Sequence, residues 1–266
     1  MATSTSNVHV IAPTVAHTHT IIFLHGRGSN AHEFESEFFE SQASDGRFLT
    51  HIFPGIKWVF PCAQVRHAET EQEDMHQWFD MASVREPHRR EGLQLPGLRE
   101  SAGFIRNIMK EEAEKVGDVR RIFLGGISQG CATALIALLT SRERIAGFVG
   151  ISSWLPFPSP VNFRVSWNEA FVQWVQERLL PTPTESIQFQ SSNLDAVAQT
   201  PVLLEHAEDD EVVPVGNGKE LCEGLRRLGM KVEWQQYVDG AHWVNEPRGI
   251  DDMVRFIASC CTYTEN

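Results

Sequence analysis

The chain has 266 residues, of which 42% are hydrophobic and 22% charged, and its formal net charge is −12. That is enough to bury a large interior without disulfide or metal staples, and α/β architectures of this length form one domain, here taken as 1–266. The negative balance repels phosphates and anionic lipid headgroups, which argues against nucleic acid as a partner; the short basic run at His88, Arg89 and Arg90 reads as a solvated loop.

The five cysteines, Cys62, Cys131, Cys222, Cys260 and Cys261, are odd in number and without repeated spacing. They form neither a disulfide framework nor a zinc pattern, and they fit a reducing compartment. Residues 1–13 lack a basic segment followed by an apolar run, and no stretch approaches the roughly 18 apolar residues of a membrane span. The expectation is a cytoplasmic protein with no integral membrane segment, no metal site and no cofactor.

In chain order, short apolar runs at residues 20–24, 58–60, 121–124, 145–151, 202–205 and 232–238 read as strands. Between them Leu98, Ala102, Ile105 and Met109 recur at helical spacing, as do Leu221, Leu225 and Leu228 before Gly229, a C-cap. Strand and helix in alternation imply a mainly parallel central sheet with helices on both faces, and such sheets meet ligands at the carboxyl ends of their strands. Two stretches break the rhythm. Residues 66–96 are polar and read as a long loop near the site, while 156–200 read as an insertion packed on the core, with a helix over 167–180.

Gly126-Ile127-Ser128-Gln129-Gly130 follows the strand at 121–124 and precedes a strong helical segment from Cys131 to Leu139. Strand, sharp turn and helix form a nucleophile elbow, the signature of the α/β-hydrolase fold. A serine hydroxyl needs an imidazole to take its proton and a carboxylate to orient that imidazole, and this fold orders them serine, acid, histidine. Of the two histidines after Ser128, His206 lies before the acidic loop, and His242 follows the strand at 232–238. His242 is therefore the expected base. The acid lies in Glu208-Asp209-Asp210-Glu211, where charge and burial arguments leave Asp209 and Asp210 both open. Backbone N–H groups of Gln129, after the nucleophile, and of Arg27, in the glycine turn Leu24-His25-Gly26-Arg27-Gly28, are the expected oxyanion donors.

Together these motifs resemble the acyl-protein thioesterase and small carboxylesterase family, also called the phospholipase/carboxylesterase family. Leu24-His25-Gly26 is similar to its oxyanion-loop motif, the pentapeptide around Ser128 to its elbow, and Trp78-Phe79-Asp80 to its Trp-Phe-Asp segment. Aligning His206 and Val212-Val213-Pro214 with the family's acid motif puts the acid at Asp210, and the family histidine falls on His242. The resemblance implies hydrolysis of a small-molecule ester or an S-acylated protein through an acyl-enzyme on Ser128. Trp78, Phe79 and Trp154 are the candidates to line an apolar acyl site, with ordinary core packing as the alternative for each. Two other readings stand beside this one: a ligand-binding protein on a hydrolase scaffold, and an acyltransferase whose acceptor is not water.

Overall fold

The computed structural model describes residues 8–157, 166–180 and 189–262. The chain opens with β1 (Val8–Ile11) and β2 (His19–Leu24), followed by α1 (Ala31–Phe38), α2 (Leu49–Ile52) and β3 (Ile56–Pro61). A hairpin of β4 (Val65–Ala68) and β5 (Glu73–His76) comes next, then α3 (Gln94–Val116), β6 (Ile122–Ile127), α4 (Gln129–Ser141) and β7 (Gly147–Ile151). The rest is α5 (Trp167–Trp174), α6 (Ser192–Val197), β8 (Val202–Ala207), α7 (Val215–Arg227), β9 (Val232–Tyr237) and α8 (Arg248–Thr262).

Seven strands form one sheet in the order β1-β3-β2-β6-β7-β8-β9, parallel throughout except for β1 against β3. Along β2 the side chains alternate: Ile22 and Leu24 enter a cluster with Leu98, Ile105 and Leu135 of α3 and α4, while Ile21 and Phe23 enter the opposite one with Phe34, Met253 and Phe256 of α1 and α8. This two-residue period is why a sheet covered on both faces reads as an unbroken apolar run. The chain places β3 on one side of β2 and β6 on the other, so the carboxyl ends of β2 and β6 flank the point where strand order reverses. In open α/β sheets that crevice is where ligands bind.

All six strands expected from the sequence are present, with ends shifted by a few residues. The stretch 66–96 is not one long loop. It holds most of the β4–β5 hairpin, a 3-10 turn at Glu91–Leu93 and the start of α3. The hairpin was hidden because Arg66, His67, Glu73 and Asp74 show no apolar alternation, and its tip is held from outside by Arg27. Within 156–200, residues 158–165 and 181–188 lie outside the described residues. The expected helix is α5, started by a reciprocal capping box between Ser166 and Glu169 and continued by a π-turn at Val175–Leu179. Its Phe171, Val175 and Leu179 join Phe157 and Phe189 in the same buried cluster as Leu135 of α4.

No helix among the described residues is long and apolar enough to cross a membrane, and Cys62, Cys131, Cys222 and Cys260 form no disulfide.

Candidate active site

Ser128 sits between β6 and α4 with φ 55° and ψ −125°, backbone angles that a residue with a side chain adopts at a cost of about 1–3 kcal/mol. The surroundings over-determine them. Ser128 N–H donates to the Ile151 carbonyl at 2.9 Å, and the Ser128 carbonyl accepts from Ser153 Oγ at 2.8 Å and from Ala132 N–H at 3.1 Å. Two glycines make the tight elbow possible. A β-carbon on Gly126 would fall 2.6 Å from the Leu24 carbonyl oxygen, and one on Gly130 would fall 2.3 Å from that of His25. Gln129 opens α4, so its N–H is among those with no intrahelical acceptor.

The loops after β8 and β9 bring Asp210 and His242 together, with His242 Nδ1 2.8 Å from Asp210 Oδ2. The other carboxylate oxygen of Asp210 accepts from the N–H groups of Val212 at 2.9 Å and Val213 at 2.8 Å. Burial opposes ionisation of Asp210, but hydrogen bonds from His206, His242 and the Val213 amide outweigh it and hold the carboxyl well below the usual range. Because an ionised carboxylate only accepts, His242 Nδ1 carries the hydrogen, and in the neutral ring the lone pair is then on Nε2. His206 is buried against the same Asp210 oxygen that His242 contacts. Its Nε2 faces two acceptors, the Val213 carbonyl at 2.8 Å and Asp210 Oδ2 at 3.3 Å, so it donates there. Asp209 is exposed and accepts from Ala241 N–H at 2.8 Å, which steadies the His242 loop at a residue with φ 52°.

Ser128 and His242 open onto one cleft of about 520 Å³. Gly26 and Arg27 line it beside them, and a β-carbon on Gly26 would lie 3.7 Å from the Ser128 Cβ. Arg27 N–H has no acceptor among the described residues. The apolar wall consists of Phe34, Met75, Val84, Ile127, Val212 and Trp243, and the acids Glu37, Glu71 and Glu73 complete the lining.

Trp78, Phe79 and Trp154 are not part of that lining; all three are buried in the core. Trp78 is instead a structural hub. Its N–H donates to Gln129 Oε1 at 2.8 Å, its indole N–H to the His25 carbonyl at 2.9 Å, and its own carbonyl accepts from Ser101 Oγ at 2.6 Å. Gln129 Nε2 donates to the Phe79 carbonyl at 2.8 Å, which closes the clamp between elbow and Trp-Phe segment. Sequence reasoning gave Gln129 a backbone role and missed this side-chain one, for which the local motif carries no signal. The roles of Ser153 beneath the elbow and of Glu71 on Arg27 were likewise missed. Among the described residues no three His, Cys, Asp or Glu side chains converge as a metal site would require.

Sheet order, elbow and loop positions define a hydrolase of the α/β-hydrolase class. The chain belongs to the phospholipase/carboxylesterase family, whose model matches residues 5–172. Acyl-protein thioesterase 1 of Gibberella zeae is 30% identical, covering 93% of this chain and 94% of that protein; acyl-protein thioesterase 1 of Yarrowia lipolytica is 27% identical over 87% and 88%. Among solved structures, acyl-protein thioesterase 2 of Zea mays matches with a TM-score of 0.69 at 22% identity, over 96% of this chain and 99% of that one. SOBER1 of Arabidopsis thaliana matches with a TM-score of 0.68 at 19% identity, over 92% and 99%. The prolyl oligopeptidase family model also matches, over residues 89–262, the part that contains Ser128, Asp210 and His242. The protein is thus an enzyme, a serine hydrolase of carboxylic esters or thioesters.

Proposed function

We propose that this enzyme removes acyl groups from S-acylated proteins or small esters with Ser128 as nucleophile, His242 as general base and Asp210 as its orienting acid. One observation carries the assignment: the 2.8 Å contact that fixes the His242 tautomer, at the edge of the cleft onto which Ser128 opens. Ser128 Oγ attacks the acyl carbon while His242 Nε2 takes its proton, and the carbonyl π pair moves to oxygen. The N–H groups of Arg27 and Gln129 receive that oxyanion. Its collapse breaks the carbon–sulfur or carbon–oxygen bond, and the imidazolium returns the proton to the leaving group. Water activated by His242 then hydrolyses the acyl-enzyme and frees the acid.

The acyl chain would lie on Phe34, Met75, Val84, Ile127 and Trp243. The thioester assignment is supported by the names of the relatives that match over nearly the whole chain. We read 1–266 as one hydrolase domain with 156–200 as an insertion, and the odd number of cysteines without repeated spacing favours the reducing cytosol.

The test is intact-mass analysis after treatment with a fluorophosphonate, together with hydrolysis of an S-palmitoyl peptide. A single adduct and peptide turnover in the wild type, both lost in Ser128→Ala, are expected. A labelled Ser128→Ala protein would place the nucleophile elsewhere.

A further inference from the structure

His25 is a buried imidazole beside the proposed reacting groups that none of the steps above uses. Its Nε2 lies 3.0 Å from the Ala63 backbone nitrogen, and its Nδ1 lies 2.7 Å from the Gly26 carbonyl oxygen. A peptide N–H only donates, so Nε2 must present a lone pair; a carbonyl only accepts, so Nδ1 must carry the hydrogen. One species satisfies both contacts, the neutral ring protonated at Nδ1. Burial favours the same state, pulling the pKa down to about 4 against the opposing hydrogen bond to Gly26, and the titratable neighbour is His76, edge-on at 6.5 Å between ring centroids.

The Gly26 carbonyl shares a peptide plane with the Arg27 N–H. In that trans peptide the two groups point in opposite directions, so whatever grips the oxygen aims the hydrogen. The ring grips the oxygen from inside the core at 2.7 Å, much closer than the other donor to it, Ser29 N–H at 3.4 Å, and the N–H on the far side of the plane has no acceptor among the described residues. The plane also stands close to the nucleophile, since Gly26 faces Ser128 Cβ. His25 is itself immobilised through its own carbonyl, which accepts from Trp78 Nε1 and packs against Gly130 of the elbow.

We propose that His25 is a positioning residue of the oxyanion hole: the hydrogen bond from its Nδ1 to the Gly26 carbonyl sets the peptide plane that presents Arg27 N–H to the tetrahedral intermediate. The inference rests on the reading of Arg27 as an oxyanion donor. It separates two functions within one ring, since Nδ1 orients the donor whereas Nε2 only anchors the ring to Ala63.

Two variants divide these functions. His25→Asn puts an amide N–H near the position of Nδ1, and His25→Gln reaches the position of Nε2 but offers Gly26 nothing. Steady-state kinetics on p-nitrophenyl butyrate would be measured for both, beside long-range nitrogen–proton spectra of the wild-type ring near neutral pH. The wild type is expected to show hydrogen on Nδ1 and a bare Nε2. His25→Gln is expected to lose kcat by about 10- to 100-fold, less than the ~10²–10³ for deleting a donor outright, with KM nearly unchanged. His25→Asn is expected to recover most of that kcat. Equal losses in the two variants, or a change confined to KM, would overturn the proposal. So would a wild-type ring protonated at Nε2, a measurement that decides the matter alone if neither variant folds. Ser128→Ala runs alongside as a control on the site itself. Activity persisting in it would sink the reading of the site, whereas an inactive Ser128→Ala with equal His25 variants would sink only the role of His25.

Discussion

Arg27 and Glu71 are joined by two parallel hydrogen bonds, Nη1 to Oε1 at 2.9 Å and Nη2 to Oε2 at 2.7 Å, so the loop after β2 carries the hairpin tip with it. Arg27 Nε also donates to Gln77 Oε1 at 3.0 Å, beyond the other end of β5. Glu71, Glu73 and Met75 therefore form a wall of the cleft that is held to the proposed oxyanion loop by the Arg27 side chain and by Gly28 N–H, which donates to the His76 carbonyl at 2.8 Å.

Glu71→Ala should loosen that wall without unfolding the protein. The pair is partly exposed, so the stability loss should stay within about 1 kcal/mol in urea titration. KM for a long-chain thioester should rise several-fold, while KM for p-nitrophenyl acetate, which does not reach the wall, should hardly change. Equal effects on both substrates would show that the hairpin does not contact the acyl chain.

Asp210→Asn should keep the fold and lower kcat by about 10³- to 10⁴-fold, the size of loss when an orienting acid no longer fixes the tautomer. Asp209→Asn should cost less than tenfold, because Asp209 touches the base loop only through Ala241 N–H. A reversed order would exchange the two roles. The depressed pKa of Asp210 sets the sign of its pH dependence: its contribution to stability is present above the unfolded value of about 3.9 and is lost as pH falls through the lower folded value.

Gln129→Ala separates side chain from backbone. It leaves the Trp78 N–H and the Phe79 carbonyl buried without partners, at about 1–3 kcal/mol each, while the Gln129 N–H itself remains. Chemical denaturation should show a loss of about 2–6 kcal/mol. A variant as stable as the wild type would mean that the Trp-Phe segment is held by other contacts.

Glu205 should respond to pH in the opposite sense from Asp210. It is buried on β8, where desolvation and the nearby Asp252 raise its pKa well above the ordinary value. Its contribution to stability is then complete below the unfolded value of about 4.3 and declines as pH rises through the raised folded one. Glu205→Gln, always neutral and of the same shape, should melt above the wild type at pH 8, with the gap closing toward pH 4. A gap independent of pH would show that Glu205 is ionised in the fold.

The features legible in the sequence are those that a short backbone motif encodes at a strand end. Gly126 and Gly130 are required because carbonyls of Leu24 and His25 occupy the space of a β-carbon, so the elbow announces itself locally. The aromatic assignments had no such footing: Trp78 and Trp154 look alike in a sequence whether they face a ligand or the core. The side chains of His25 and Gln129 act on partners 38 and 51 residues away, a pairing that only the folded sheet creates. Helix α8 is different, since Ile250, Met253, Phe256, Ile257 and Cys260 recur at helical spacing and the signal was available.

The order of the strands bears on how the enzyme is made. Ser128 follows β6, near the middle of the sheet, whereas the loop carrying His242 follows β9, its last strand in the chain and one of its edges. Chains emerge from the ribosome amino end first. A nascent polypeptide can thus pair β2, β3, β6 and β7 and fold the elbow while its serine is still an ordinary, unreactive alcohol. Under the proposed roles, reactivity arrives with the docking of β9, so an unfinished chain cannot cleave the esters and thioesters around it.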